Sequence, residues 1–537
     1  MTEGGPRRFL TDGRVLLAVT FAAAILAFTG PLMAYDLWWH LRAAQQILAD
    51  RAVPHADPFS FTAAGRPWVY HSWLSGLVLY GAWSAFGPKG VIFLRSLLIA
   101  LSLVVAWFVA RRRGVGVALA SVLVLAACLQ LELRALARPY LFSFLLFAVF
   151  VFVLDRAVSE ERPAGPDVRR FLWGKGGRLA LLPLLTALWA NLHAGFLVGL
   201  LLLGAYGAGE LARLAALPGR RSLASTLVRD AAGARFRAMF GVGVLCLAAS
   251  MLTPYGPGVL LYPFRLMFGV KLVSKVQEWQ PTPLSGKFAV FWAMLVFGAL
   301  VLARSVLLRA ASGRLRADLG RLVTDLLLMA GFAFLAVGAV RHMAWFLLLA
   351  PSVLGSHLTY RTSEDADATE RPVYAVAAWV LALVVGFWPL VSSGSPKLGV
   401  SERHTPVRAC DYIESVGLML KPYNSYEWGG YLTWRFWPRM RVFIDGRCLV
   451  YRDDIIGDAL AVEKGDGRWR QVLEKWGVEM LFVRYRKRDA AHLFADGRWR
   501  CIYWDDLAVI GLRSDLLPAW ADRVREYPLS NPVVFEQ

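Results

Sequence analysis

The stretch from Tyr35 to His71 gathers Asp36, His40, Arg42, His55, Asp57 and His71 into one loop directly behind an apolar run. Such groups are costly beside lipid unless they face water, a partner or a substrate. Asp36 is followed by Trp38, Trp39, His40 and Arg42. If the segment from Leu37 is helical, Trp39 to Leu48 lies as an amphipathic helix along a membrane surface, with Asp36 fixed at its N-terminus. A carboxylate there could take a proton from an acceptor hydroxyl or amine, or bind a metal. It could equally cap the helix and do no chemistry. Asp57, ahead of Pro58, is either a second catalytic carboxylate or an ordinary turn start. His71 could touch a phosphate or act as an acid, and Mg2+ or Mn2+ bridging Asp36 and Asp57 would be a further use of the pair.

Three further groups carry polar chemistry. Arg138 opens an apolar run just after Glu132 and Arg134, and Arg341-His342 interrupts two others. Guanidinium forks suit a phosphate or pyrophosphate, although snorkelling to lipid headgroups would use the same residues. Asn191 and His193 stand two apart between tightly linked apolar runs, either at a substrate or in an interhelical hydrogen bond. Near the C-terminus, Tyr426-Glu427-Trp428-Gly429-Gly430-Tyr431 is followed by Phe443-Ile444-Asp445-Gly446-Arg447. The glycine pair permits close backbone approach, and Trp428 and Tyr431 could stack on a sugar face or pack a core. Asp445 and Arg447 would add polar contacts to a substrate, while Asp445-Gly446 is also a common turn.

The elements that must position these residues follow from composition. The chain has 537 residues, 57% of them hydrophobic and 18% charged, with a mean hydropathy of +0.48. This is the profile of a polytopic α-helical membrane protein. The net charge of +20 is no nucleic-acid signature, because in such a protein the positions of the positive charges matter more than their sum. After a short basic N-terminus, 15–34 reads as an uncleaved signal anchor. Further apolar runs occupy 91–110, 115–133, 140–154, 178–192, 195–212, 237–252, 288–303, 322–340, 343–358 and 373–392, making about eleven transmembrane helices. The stretch 71–86, rich in Trp, Tyr, Ser and Gly, is the doubtful twelfth. If it lies in the interface without crossing, the basic loops at 111–113, 156–178, 213–237 and 304–321 all fall in the cytoplasm; if it crosses, all move outside. The expected topology therefore places the N-terminus in the cytoplasm of a bacterial inner membrane. The outer, periplasmic face receives 35–71, 132–139, 255–287, Asn191, His193, Arg341, His342 and everything beyond about 393.

From about 397 the pattern changes to short helices (408–416, 468–476) and strands (417–423, 441–445, 479–485, 499–504, 507–512), which predicts a compact α/β domain. The expected division is a transmembrane module over 1–395, with interfacial helices in an outer loop at 35–90, and a soluble periplasmic domain over 396–537. One disulfide among Cys410, Cys448 and Cys501 could form on an oxidising face.

Together, the first span, the loop with Tyr35-Asp36-Leu37-Trp38-Trp39, Asp57-Pro58, the His71-Ser72-Trp73 helix and Ala137-Arg138-Pro139 resemble the GT-C superfamily of integral-membrane glycosyltransferases. The likeness is to bacterial relatives of the protein mannosyltransferase, aminoarabinose transferase and oligosaccharyltransferase groups. Glu427-Trp428-Gly429-Gly430-Tyr431 is similar to the aromatic-Asp-Tyr-Gly signature of oligosaccharyltransferases. The resemblance implies that Asp36 is the first-loop catalytic carboxylate and that Arg138 and Arg341 hold a lipid phosphate. Two departures matter: no Asp-Glu pair follows the first span, and Gly follows Trp428 where the signature has Asp.

The expected function is transfer of a sugar from a polyprenyl-phosphate or pyrophosphate donor to a protein, lipid or glycan acceptor on the periplasmic face, with membrane lipids as the other partners. A flippase for lipid-linked solutes would need polar residues at mid-membrane. A non-catalytic scaffold of an envelope-polymer machine would not depend on Asp36.

Overall fold

The computed structural model describes residues 12–159, 169–173, 178–217, 233–269, 277–360, 372–393, 398–485, 491–495 and 497–527. Much of the basic loops expected at 156–178 and 213–237 lies outside them. Each of the eleven apolar runs carries a helix. Among the described residues seven helices are long and apolar enough to cross a membrane: Trp73–Arg112, Val117–Arg134, Tyr140–Ser159, Phe196–Ala215, Gly286–Ala311, Leu319–Gly338 and Pro372–Pro389. Gly13–Ala27 and Leu181–Leu192 are shorter apolar helices, so the expected count of eleven spans is not reached by length and composition. The chain is a multi-pass membrane protein.

Two compact units divide it. The first comprises Met1–Gly30, Val91–Leu260 and Val276–Lys397; the second comprises Pro31–Gly90, Leu261–Lys275 and Leu398–Gln537. The first outer loop thus belongs to the same unit as the C-terminal part. The doubtful 71–86 stretch is the first arm of Trp73–Arg112, which breaks at Gly87 (φ 59°, ψ −145°). Only glycine adopts that backbone readily, and Pro88 follows it.

In the first unit the two ends of the helices are chemically different. At one end Arg113 donates to Asp155 (2.7 Å) and Asp325 (2.8 Å) and to the Tyr206 hydroxyl (3.3 Å). His357 Nε2 lies 3.0 Å from the second oxygen of Asp325. Side chains on five segments are tied into one buried network, which meets the requirement that ionised groups at membrane depth find partners. At the other end lie Arg134, Arg138, Glu278, Arg341 and His342.

The second unit is built on a four-stranded sheet in the order β1-β2-β4-β3, with β1 Pro422–Asn424, β2 Met480–Arg484, β3 Trp499–Trp504 and β4 Ala508–Arg513. β1 and β2 are parallel and the other pairs antiparallel. β2, β3 and β4 lie where short apolar runs predicted strands, β2 and β4 buried almost throughout, and the helices Val407–Val416 and Trp469–Lys475 lie where expected. The expected strand at 441–445 is different. It runs extended against the first loop, with Val442 N–H donating to Phe59 O and Phe61 N–H to Val442 O, both at 3.1 Å. The Gly-Gly motif is helical, within Gly429–Phe436, and a long helix, Cys448–Lys464, follows. All five cysteines are free, so Cys410, Cys448 and Cys501 stand unlinked and the possible bridge among them does not form.

Candidate functional site

Asp36 occupies the N-cap position of the helix Leu37–Asp50, yet its side chain makes no capping hydrogen bond. The indole N–H of Trp39 donates to its Oδ1 at 3.4 Å. The backbone of Gly446 closes on the same oxygen, so that a Cβ at 446 would stand 1.9 Å from Asp36 Oδ1. Glycine is required there by contact. Two more glycines serve the same junction: a Cβ on Gly430 would meet Tyr35 O at 2.6 Å, and one on Gly429 would meet Ile444 O at 1.9 Å. The helix Leu37–Asp50 therefore buries Trp38, Trp39, His40 and Leu41 and packs against Gly429–Phe436, so the helix expected to lie on the membrane surface has a protein partner.

The rest of the first loop is fixed by aromatic and ionic contacts. His40 Nδ1 is 2.8 Å from the Tyr70 hydroxyl, and its ring stacks on Trp39 at 3.6 Å. Arg42 donates to Trp434 O and lies over the Trp434 ring at 5.3 Å. Asp57 accepts the Phe59 N–H at 2.9 Å and the Ser60 hydroxyl on its other oxygen, so the turn geometry is realised. It also forms a 2.5 Å ion pair with Arg447. Asp445 takes the rest of that guanidinium, from Nε and Nη2, each at 2.8 Å. Burial opposes the charge on Arg447, but Asp445, Tyr451 and Asp57 hold it well above the usual range. Both Asp57 oxygens are thus taken, and the donor set does not fit a cation bridging Asp36 and Asp57. Among the described residues no group of three or more His, Cys, Asp and Glu side chains gathers as a metal site.

Other expected residues lie further from this chemistry. His55 is exposed, and its carbonyl accepts the Trp68 N–H at 2.8 Å. The His71 ring packs on Tyr262, centroids 4.2 Å apart. Trp428 is buried and donates to His404 O at 3.1 Å. Tyr431 lies edge-on to Trp38 at 4.9 Å and accepts from Arg435 at 3.1 Å. Both aromatics of the motif therefore pack a core. Beside Asp36 the Tyr426 hydroxyl sits 2.8 Å from Cys448 Sγ. Burial, with Asp36 and Asp445 adding to it, pushes that thiol up to about 11, so it stays protonated.

In the first unit Arg134, Arg138 and Arg341 converge on Glu278. Its Oε2 lies 3.1 Å from Arg138 and 3.5 Å from Arg134, and the Arg341 guanidinium stands 4.0 Å over the neighbouring Trp279 ring. Burial disfavours charge on Glu278, but Arg138, Arg341 and Arg134 outweigh it and hold its pKa below the usual range. Three cations against one carboxylate leave an anion-seeking centre. Glu278 was not singled out by sequence; a lone acid facing a loop of arginines was the available signal. Asn191 donates to Ala187 O and Leu252 O, both at 2.8 Å. His193 Nδ1 lies 2.8 Å from Ser143 Oγ and accepts the Gly195 N–H at 3.1 Å. This pair joins helices, as the simpler of its two readings had it.

No family model and no curated protein matches the chain. Solved structures do. Archaeal oligosaccharyltransferase AglB from Archaeoglobus fulgidus, in complex with an inhibitory peptide and a dolichol-phosphate, superposes at a TM-score of 0.59 over 91% of this chain and 72% of its own, with 11% identity. The A. fulgidus oligosaccharyltransferase in the apo form gives 0.58 over 91% and 73%, also at 11% identity. ArnT from Cupriavidus metallidurans bound to undecaprenyl phosphate covers 93% and 97% at 12% identity, but its TM-score of 0.49 is too low to argue from. Identities this low speak to architecture, and on that ground the chain has the GT-C fold.

Proposed function

We propose that the protein is a membrane glycosyltransferase that moves a sugar from a polyprenyl-phosphate or pyrophosphate donor to an acceptor on the periplasmic face of the bacterial inner membrane. The observation that carries this reading is Asp36: a carboxylate at a helix N-terminus that does not cap it, held between an indole N–H and a glycine backbone. A carboxylate fixed in this way is suited to take a proton from an acceptor hydroxyl or amine. In this reading Asp36 takes the acceptor proton as the acceptor oxygen or nitrogen bonds to the anomeric carbon. The bond from that carbon to the phosphate oxygen breaks, and the phosphate leaves with the electron pair; the Arg134, Arg138 and Arg341 cluster of the first unit is of the chemistry that suits a lipid phosphate. Asp57, already engaged by Arg447, serves the architecture of the loop. A transporter is less well supported, because the buried ion pairs of the first unit gather near helix ends, whereas a transport path needs polar groups at mid-membrane.

The test is transfer by the purified protein in lipid from a panel of radiolabelled polyprenyl-phosphate sugars, with a crude envelope extract as acceptor source and Asp36→Asn alongside. Turnover of at least one donor is expected. The variant should lose about 10²–10⁴-fold of it while still binding the donor lipid. Donor binding without turnover, identical in both proteins, would favour a scaffold instead.

A further inference from the structure

Of the consecutive residues Asp445, Gly446 and Arg447, the last two bear on the first loop and the first holds Arg447. Arg447 is 1% exposed at its side chain, and Asp57 and Asp445 are both fully buried. Besides its two carboxylates it donates to the Tyr451 hydroxyl at 3.0 Å. Its guanidinium lies against the rings of Phe59 at 5.0 Å and Trp68 at 4.8 Å. Stability alone is a weak reason for such an arrangement, since well-packed apolar side chains often replace a buried ion triad at no loss. What the triad supplies is a fixed orientation for everything attached to it.

Two routes lead from it to Asp36. Gly446, covalently next to Arg447, is the residue whose backbone presses on Asp36 Oδ1. Trp68, under the guanidinium, meets Trp39 edge-on at 5.9 Å, and Trp39 donates to that same oxygen. A shift of the guanidinium displaces both neighbours of the carboxylate together.

We infer that Arg447 is the positioning residue for Asp36, governing transfer only through the placement of that carboxylate and making no contact with substrate. The inference rests on the reading of Asp36 as the base. It departs from the sequence expectation, in which Asp445 and Arg447 touch the substrate themselves.

The experiment uses the full-length protein in lipid and the radiolabelled polyprenyl-phosphate sugar that the wild type turns over. Arg447→Lys keeps the charge but loses the planar fork. It is expected to lower kcat by about 100-fold, the scale of a misplacement of about 1 Å, with the donor KM within about twofold. In an Asp36→Asn background the residual rate should be the same with and without Arg447→Lys. Tyr451→Phe, which removes the hydroxyl that Arg447 donates to and that also bonds Ser60, should lower kcat by about threefold or more at unchanged KM, a milder case of the same misplacement. Arg447→Lys at full kcat, a KM that rises in step with the loss, or losses additive with Asp36→Asn would each overturn the inference. If Arg447→Lys does not fold, Tyr451→Phe at wild-type kcat overturns it instead. Asp36→Asn at wild-type turnover removes the reading of the base and this inference with it. An inactive Asp36→Asn beside a full-rate Arg447→Lys removes the positioning role alone.

Discussion

His342 lies among the arginines that surround Glu278, and burial, reinforced by Arg341 and Arg134, lowers its pKa from 6.5 to about 4. The folded protein therefore resists a proton that the unfolded chain accepts. Stability from this group is complete above about pH 6.5 and is lost as pH falls towards about 4. The melting temperature in lipid should drop across that window, and His342→Gln should flatten part of the slope. An identical slope in the variant would show that the histidine titrates alike in both states. Residues of this kind mark the limit of reading a sequence alone. Arg341 and His342 were visible as polar interruptions of apolar runs, whereas Glu278, more than 130 residues from Arg138, was not. Asp57 shows the same limit. Its turn was legible from Pro58, but its ion-pair partner Arg447 is 390 residues away, and no local pattern encodes such a pairing.

At the scale of elements, hydropathy made all eleven apolar runs recognisable as helices, and short β-branched and aromatic runs did the same for β2, β3 and β4, because both signals are local. The 429–436 helix was hidden by its two glycines, which are poor helix formers but are kept small by the backbone oxygens of Tyr35 and Ile444. The 441–445 run has the β-branched and aromatic composition of a strand, yet its backbone partners are in the first loop. The buried network around Arg113 was equally invisible, since its members fall near the ends of separate helices. There the energetics are sharp. Asp325→Ala would leave Arg113 with Asp155 and the Tyr206 hydroxyl, and His357 Nε2 without its carboxylate. Breaking a buried pair on one side costs about 3–5 kcal/mol, so the variant should melt well below wild type in lipid or fail to accumulate. A wild-type melting curve would mean that the network is dispensable.

For the molecule as a whole, the proposed orientation depends on parity. Arg304, Arg309, Arg314, Arg316 and Arg321 flank one turn of the first unit, at the helix ends that also carry the Arg113 network. Positive residues in short loops favour the cytoplasm, which assigns those ends to the inside. If all eleven apolar runs cross, 35–71 and the C-terminal part lie on the face opposite this turn, which is the periplasmic placement proposed above. Ala64 and Glu402 are exposed in the second unit, and Arg314 is exposed in the first. Four of the native cysteines are buried and Cys448 is partly so, which keeps the background low. Single cysteines at Ala64 and Glu402 should react with a membrane-impermeant maleimide in intact cells, and one at Arg314 only after lysis. Because Ala64 and Glu402 belong to one compact unit, they must label together. Labelling of Arg314 alone would invert the topology and place the Asp36 chemistry in the cytoplasm, where an acceptor of a different class would have to be sought.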